Sequence, residues 1–143
     1  MGMLAAVVIC SIIFDFINGF HDTANSIATS VSTRVLTLRQ ATIMSASLNF
    51  IGALISAKVA ETIASGIVCG KLPQYVIVGA LCGAIVWNLI TWWIALPSSS
   101  SHALIGSLVG SAILVTGNLS SVNWINILYK VIIPLFSSPL IGF

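Results

Sequence analysis

Charge is what this chain has least of. Five lysines and arginines and three acids are spread over 143 residues, 6% charged against 58% hydrophobic. A soluble domain carries about 25% charged residues. So little charge cannot cover a water-facing surface, which excludes an ordinary soluble domain and points to an integral membrane protein. A nucleic-acid surface is excluded with it, because the basic residues are scattered and form no patch. Cysteine is scarce as well. Cys10, Cys69 and Cys82 stand in or beside apolar runs without metal-ligand spacing and read as structural thiols, so neither a resident metal nor an organic cofactor is expected. No Gly-x-Ser-x-Gly turn occurs, and acyl-transfer chemistry loses its usual nucleophile setting. No Lys or Arg precedes Arg34, Asp15 interrupts the first apolar run, and no cleavable signal is read.

What the chain has in abundance is apolar runs. Met3–Phe20, Gln40–Ala57, Gln74–Leu96 and Trp124–Phe143 are each long enough for a membrane crossing or most of one, and Ala103–Val115 is a shorter helix rich in small residues. These predict an all-α polytopic membrane protein, a multi-pass protein of the cell membrane whose surroundings are the lipid bilayer. Trp87, Trp92 and Trp93 gather where an interfacial belt is expected. Gly52 with Ser56, and Gly106 with Gly110, suit close helix packing. Lys58, Glu61 and Lys71 mark a more polar stretch, with Lys58 and Glu61 at helical spacing. Pro134 and Pro139 are expected to kink or end the last span.

Two polar interruptions break this pattern. The first is Asn18-Gly-Phe-His-Asp-Thr-Ala-Asn25. A carboxylate at membrane depth is costly unless it faces protein, water or an ion. Asp15, Asn18, Asp22, Asn25 and Thr29 step by three and four, one stripe if the segment stays helical. Gly19 permits a bend, and Asp22 is a good N-cap for a second helical piece to Thr33, so a broken or re-entrant helix is expected here. The second interruption is Pro97 followed by Ser98-Ser-Ser-Ser101-His102, opening the Ala103 helix. Two interruptions, each after a long apolar span and before a helix of small residues, match the discontinuous helices that form midplane sites in secondary transporters.

The chemistry follows from the residue types. A helix start offers unpaired N–H groups and positive potential, and Ser98 to Ser101 add hydroxyl donors, a combination suited to a tetrahedral oxyanion such as phosphate. Asp22 cannot neighbour that anion without a cation or a proton between them, which points to coupling with Na⁺ or H⁺. Asn18 and Asn25 supply amide oxygens for a hard cation and N–H groups for an anion. Other readings stay open: the serines as an ordinary loop, His21 and His102 as structural side chains, a non-transporting membrane subunit, or a hydrolase built on a serine and a histidine. The last is poor because Ser101 and His102, adjacent on a helix, point apart.

Asn18 to Ser26, continuing through Thr33-Arg-Val-Leu-Thr-Leu-Arg-Gln-Ala41, resembles the signature of the inorganic phosphate transporter (PiT) family. So do Leu96-Pro-Ser-Ser-Ser-Ser-His-Ala-Leu-Ile-Gly106 and Ala57-Lys-Val-Ala-Glu-Thr-Ile63 ahead of Gly66-Ile67. The resemblance implies a cation-coupled phosphate symporter built from two inverted repeats. It implies that Asp22 and Asn25 serve cation and phosphate, that Ser99 and Ser101 present hydroxyls to the same site, and that Asn49 is the polar position of the following span. His102 matches the motif's histidine. Each motif occurs here in one copy, so residues 1–143 are expected to be the N-terminal repeat alone, a single transmembrane domain and a fragment of something larger. A second repeat or a second copy of the chain would then complete it, or the copy is truncated and inactive. Taken together, the expected phosphate ligands are Asn25, Ser99, Ser100 and Ser101, and the expected cation-coupling residues are Asp22, Asn18 and Asn49. His21, Thr23 and His102 stand near them in sequence as further candidates.

Overall fold

The computed structural model describes residues 1–55, 66–70 and 72–142. Helix α1 spans Gly2–Ser32, α2 Leu38–Ile55, α3 Gln74–Trp93 and α4 Ser100–Thr116. A 3₁₀ turn at Leu119–Ser121 leads to α5, Trp124–Gly142. Three of these helices, α1, α3 and α5, are long and apolar enough to cross a membrane, with mean hydropathies of 2.1, 1.8 and 1.5. Ser56, the second member of the expected Gly52–Ser56 pair, the Lys58–Glu61 pair and Lys71 lie outside the described residues.

Helix α1 is continuous where a break is expected. Its 31 residues run through Gly19 and Asp22, roughly 45 Å at 1.5 Å per residue. Asp22 is therefore mid-helix and caps nothing. A lone glycine costs a helix only about 1 kcal/mol relative to alanine, and the polar side chains around it find partners sideways, on α3 and α4, so the backbone need not open. The helix stops where Arg34 turns to φ 61 and the Ser30 carbonyl accepts from both Val35 and Leu36. A capping box starts α2: Gln40 Oε1 accepts from the Thr37 backbone N–H at 3.1 Å, and Thr37 Oγ1 accepts from the Gln40 N–H at 3.4 Å.

The interruption after α3 is real. Ile94 closes the helix, Ala95 sits at φ 53, and the Leu96 N–H returns to the Thr91 carbonyl at 2.8 Å. Ser99 then caps α4, its Oγ accepting from the His102 N–H at 3.4 Å, and α4 ends on Gly117 at φ 66. The two helices form an antiparallel hairpin. Gly79 faces Ser111 and Gly83 faces Ser107, so small residues bring the backbones together along the seam. The last span does not end at its prolines. A π turn at Leu128–Ile132 precedes Pro134, and α5 carries Pro139 within it. Proline has no N–H for the residue four back, and a locally widened turn absorbs the missing bond.

Alongside α3 and parallel to it runs α1. Phe14 packs with Leu81 and Ala84 in a core layer that takes in Cys10, Ile77 and Leu104; farther along, Phe20 meets Trp92 edge-on at 5.5 Å. A second layer holds Ile67, Val68 and Ala112. There the Gly66–Gly70 stretch is clasped to the segment before α5 and to its first turn: Cys69 N–H to the Ser121 carbonyl at 2.8 Å, Asn123 N–H to the Ile67 carbonyl at 2.9 Å, and the Asn126 amide to the Gly66 carbonyl at 2.7 Å. Few side chains are buried, and the outward Leu, Ile, Phe and Trp residues suit lipid or further protein.

Candidate functional site

The two polar motifs meet. Ser100, the first residue of α4 and 2% exposed, donates its hydroxyl to Asp22 Oδ2 at 2.7 Å and also lies in hydrogen-bond contact with Asn18 Oδ1. These partners are 78 and 82 residues away in sequence. They meet because Asn18 and Asp22 are one turn apart on α1, while the α3–α4 hairpin brings the start of α4 against that turn.

Behind Asp22 lies a line of donors. His21 is 5% exposed, with Nδ1 3.3 Å from Asp22 Oδ1 and Nε2 3.4 Å from Thr91 Oγ1. Ser98 donates to Thr91 Oγ1 at 3.1 Å. The Thr91 hydroxyl has one proton, and the two carbonyls of its own helix compete with His21 Nε2 for it. Both Asp22 oxygens are engaged, Oδ1 against His21 Nδ1 and Oδ2 accepting from Ser100. Thr91 also sits 3.0 and 3.1 Å from the Trp87 and Asn88 carbonyls, which anchors it to its own helix.

The remaining expected residues distribute around this centre. Asp22, Thr23 and Asn49 line a cavity of about 310 Å³ between α1 and α2, together with Ser26 and Ser45. Asn25 lines a neighbouring cavity of about 320 Å³, facing Thr91 and the Ala95–Pro97 linker. Ser99 and His102 line a groove of about 510 Å³ along the outer side of the α3–α4 seam. Ser101 is exposed. Of the four consecutive serines, Ser100 is the one in contact with Asp22. The sequence reading missed Thr91 and Asn88. Their signal was available: two polar residues at helical i, i+3 spacing within an apolar span. Among the described residues no three His, Cys, Asp or Glu side chains cluster as a metal site.

Membrane-crossing helices joined by an interrupted hairpin, with a carboxylate, amides and hydroxyls brought together between them, define a multi-pass membrane protein with a polar interhelical site. The profile of the phosphate transporter family matches residues 18–143. The chain belongs to the phosphate transporter family. It is 47% identical over 145 residues to a probable low-affinity inorganic phosphate transporter of Streptomyces halstedii, a match covering 98% of this chain and 66% of that protein. It is 50% identical over 140 residues to the probable low-affinity inorganic phosphate transporter of Bacillus subtilis, covering 96% of this chain and 41% of that one. Among solved structures, one described as the sodium-dependent phosphate transporter superimposes with a TM-score of 0.90 at 33% identity, over 99% of this chain and 36% of that chain. The chain thus spans between about two fifths and two thirds of the curated relatives named here.

Proposed function

We propose that this chain forms one repeat of a cation-coupled inorganic phosphate symporter, with the driving ion held at Asp22. The observation that carries the reading is the Asp22–Ser100–Asn18 contact, which unites the two motifs in one intramembrane site. Its electrostatics require coupling. Two like unit charges about 4 Å apart repel by roughly 4 kcal/mol at an effective dielectric constant near 20. That is about a thousandfold in affinity, at 1.4 kcal/mol per decade. Phosphate therefore binds beside Asp22 only when a cation or a proton neutralises the carboxylate. The sodium dependence of the structural neighbour, stated in its description, supports Na⁺ as that cation.

In this reading Asp22 and Asn18 hold the ion, with Asn49 and Thr23 lining its approach from the α1–α2 cavity. The unpaired N–H groups at the start of α4, the Ser99 to Ser101 hydroxyls and Asn25 receive phosphate. A second repeat, on a longer chain or another copy, completes the site, and alternating access moves one repeat against the other. The relatives are named as transporters rather than enzymes. The hydrolase reading gains nothing, since among the described residues no serine hydroxyl is hydrogen-bonded to an imidazole.

Uptake of labelled phosphate into proteoliposomes, with a sodium or a proton gradient, tests the proposal. The chain is assayed alone and joined to a second repeat. Asp22→Asn is expected to insert and fold, because an amide still accepts from Ser100, and to abolish gradient-driven uptake. Wild-type uptake by that variant would remove Asp22 from the mechanism.

A further inference from the structure

All three cysteines of this chain are free thiols, and two of them meet. Cys10 on α1 and Cys82 on α3 lie within hydrogen-bonding reach of each other. The packing register puts them at one level. Cys10 stands ten residues before Phe20 and Cys82 ten before Trp92, and those two rings touch. Parallel helices rise alike, so on both the thiol lies about 15 Å from the ring. Cys10 packs against the layer of Phe14, Leu81 and Ala84, which holds α1 on α3 at that height.

The pair lies within two membrane-crossing helices yet is open on one side. Cys82 is exposed and Cys10 half-buried. Cys82, Val86, Leu89 and Trp93 step by four, three and four along α3, and all four are exposed. That apolar stripe suits acyl chains. A charged aqueous reagent is kept from such a place by the cost of burying its charge. An uncharged, lipid-soluble one is not.

We infer that Cys10 and Cys82 are a redox-closable clamp: a lipid-borne organic hydroperoxide joins them as a disulfide that ties α1 to α3. Cys82, the more exposed thiol, reacts first. Its Sγ attacks the terminal peroxide oxygen, the O–O bond breaks, and the departing alkoxide takes the thiol proton and leaves as an alcohol. Cys82 is then a sulfenic acid. Cys10 Sγ attacks the Cys82 sulfur, the S–O bond breaks, and the departing hydroxide takes the Cys10 proton and leaves as water. Two thiols are oxidised to one disulfide, one hydroperoxide is reduced to an alcohol, and no charge is left in the apolar layer. Cys69 is the contrasting case, since it sits on the clasp against Ser121. The new bond would tie the helix that carries Asp22 to the hairpin that carries Ser100, whichever ion the site takes.

The test treats the purified chain, one copy per lipid nanodisc, with cumene hydroperoxide or with hydrogen peroxide. Free thiols are counted, and peptides are mapped without reduction. Cumene hydroperoxide is expected to lower the count from three to one, to give a Cys10–Cys82 cross-linked peptide, and to be reversed by dithiothreitol. It should act about tenfold faster than hydrogen peroxide at equal concentration, because its apolar body partitions into lipid. Cys69→Ser keeps the cross-link, Cys10→Ser and Cys82→Ser form none, and the oxidised wild-type chain unfolds later on heating than the reduced one. Chain denatured in detergent before oxidation should give mixed pairings that include Cys69. The wild-type measurements decide even where a variant fails to fold. Three thiols left free, a bond from Cys69 to either partner in the folded chain, or sulfinic acid at Cys82 with Cys10 unreacted would each overturn the inference. Hydrogen peroxide acting as fast would overturn the class of oxidant, and earlier unfolding after oxidation would overturn the clamp.

Discussion

Replacing Ser100 with alanine separates what the serine motif offers from what the packing uses. The hydroxyl is 2% exposed and donates to a carboxylate 2.7 Å away. A hydrogen bond to a charged group contributes about 1.5–3 kcal/mol in general. Neutral bonds between membrane helices average only about 0.6 kcal/mol, since the unfolded state in lipid also finds partners. Ser100→Ala should therefore cost about 1–3 kcal/mol, a factor of roughly 5 to 150 in the unfolding equilibrium. Ser99→Ala loses the cap of α4, worth about 0.5–2 kcal/mol. Exposed Ser101→Ala should stay within about 0.5 kcal/mol. Reversible unfolding of the three variants in mixed micelles, followed by tryptophan fluorescence, gives the order Ser100, Ser99, Ser101. A neutral Ser100→Ala beside a damaging Ser101→Ala would refute the contact with Asp22 and the site built on it.

Other expectations concern the frame that holds the site. A Cβ at Gly83 would stand 2.9 Å from Ser107 Oγ and 3.5 Å from its Cβ. Gly83→Val should thus wedge α3 from α4 at a cost of about 1–3 kcal/mol, and adding Ser107→Gly should restore most of the loss in the same unfolding assay. Ala95, at φ 53, carries about 1–2 kcal/mol of left-handed strain. Ala95→Gly relieves it against about 0.4–1 kcal/mol of added chain entropy, a net gain of about 0.5–1 kcal/mol; a lower stability would show the linker relaxed as it stands. Asn126→Leu removes the 2.7 Å bond to Gly66. It should loosen the clasp by about 1 kcal/mol, read as roughly fivefold faster hydrogen exchange at the Cys69 amide, and unchanged exchange there would refute the role given to Asn126.

The site fits the demands of a lipid-surrounded protein. Asp22 is tolerable at membrane depth because His21 and Ser100 both approach it. Those two partners sit on different helices, one beside Asp22 on α1 and one on α4, so a movement of α4 relative to α1 would change the carboxylate's surroundings directly. The surroundings of the Asp22 carboxylate and the position of the α3–α4 hairpin are thereby linked through one hydroxyl.

Composition and local pattern were enough for the class of this protein. Scarce charge excludes a water-facing surface, and runs of apolar residues of spanning length make helices in lipid, because the backbone has no other donor or acceptor there. The two polar interruptions were legible for the same reason: a carboxylate or a run of serines stands out against an apolar background. What neighbours in sequence cannot decide is direction. Consecutive residues on a helix point about 100° apart, so four serines in a row face four ways, and the packing of α4 on α1 selects Ser100. The same packing lets α1 run unbroken through Gly19, since partners from α3 and α4 reach Asn18, His21 and Asp22 without the backbone opening. Thr91 and Asn88 owe their places to it as well: each is an ordinary polar residue in an apolar span until three helices close around it.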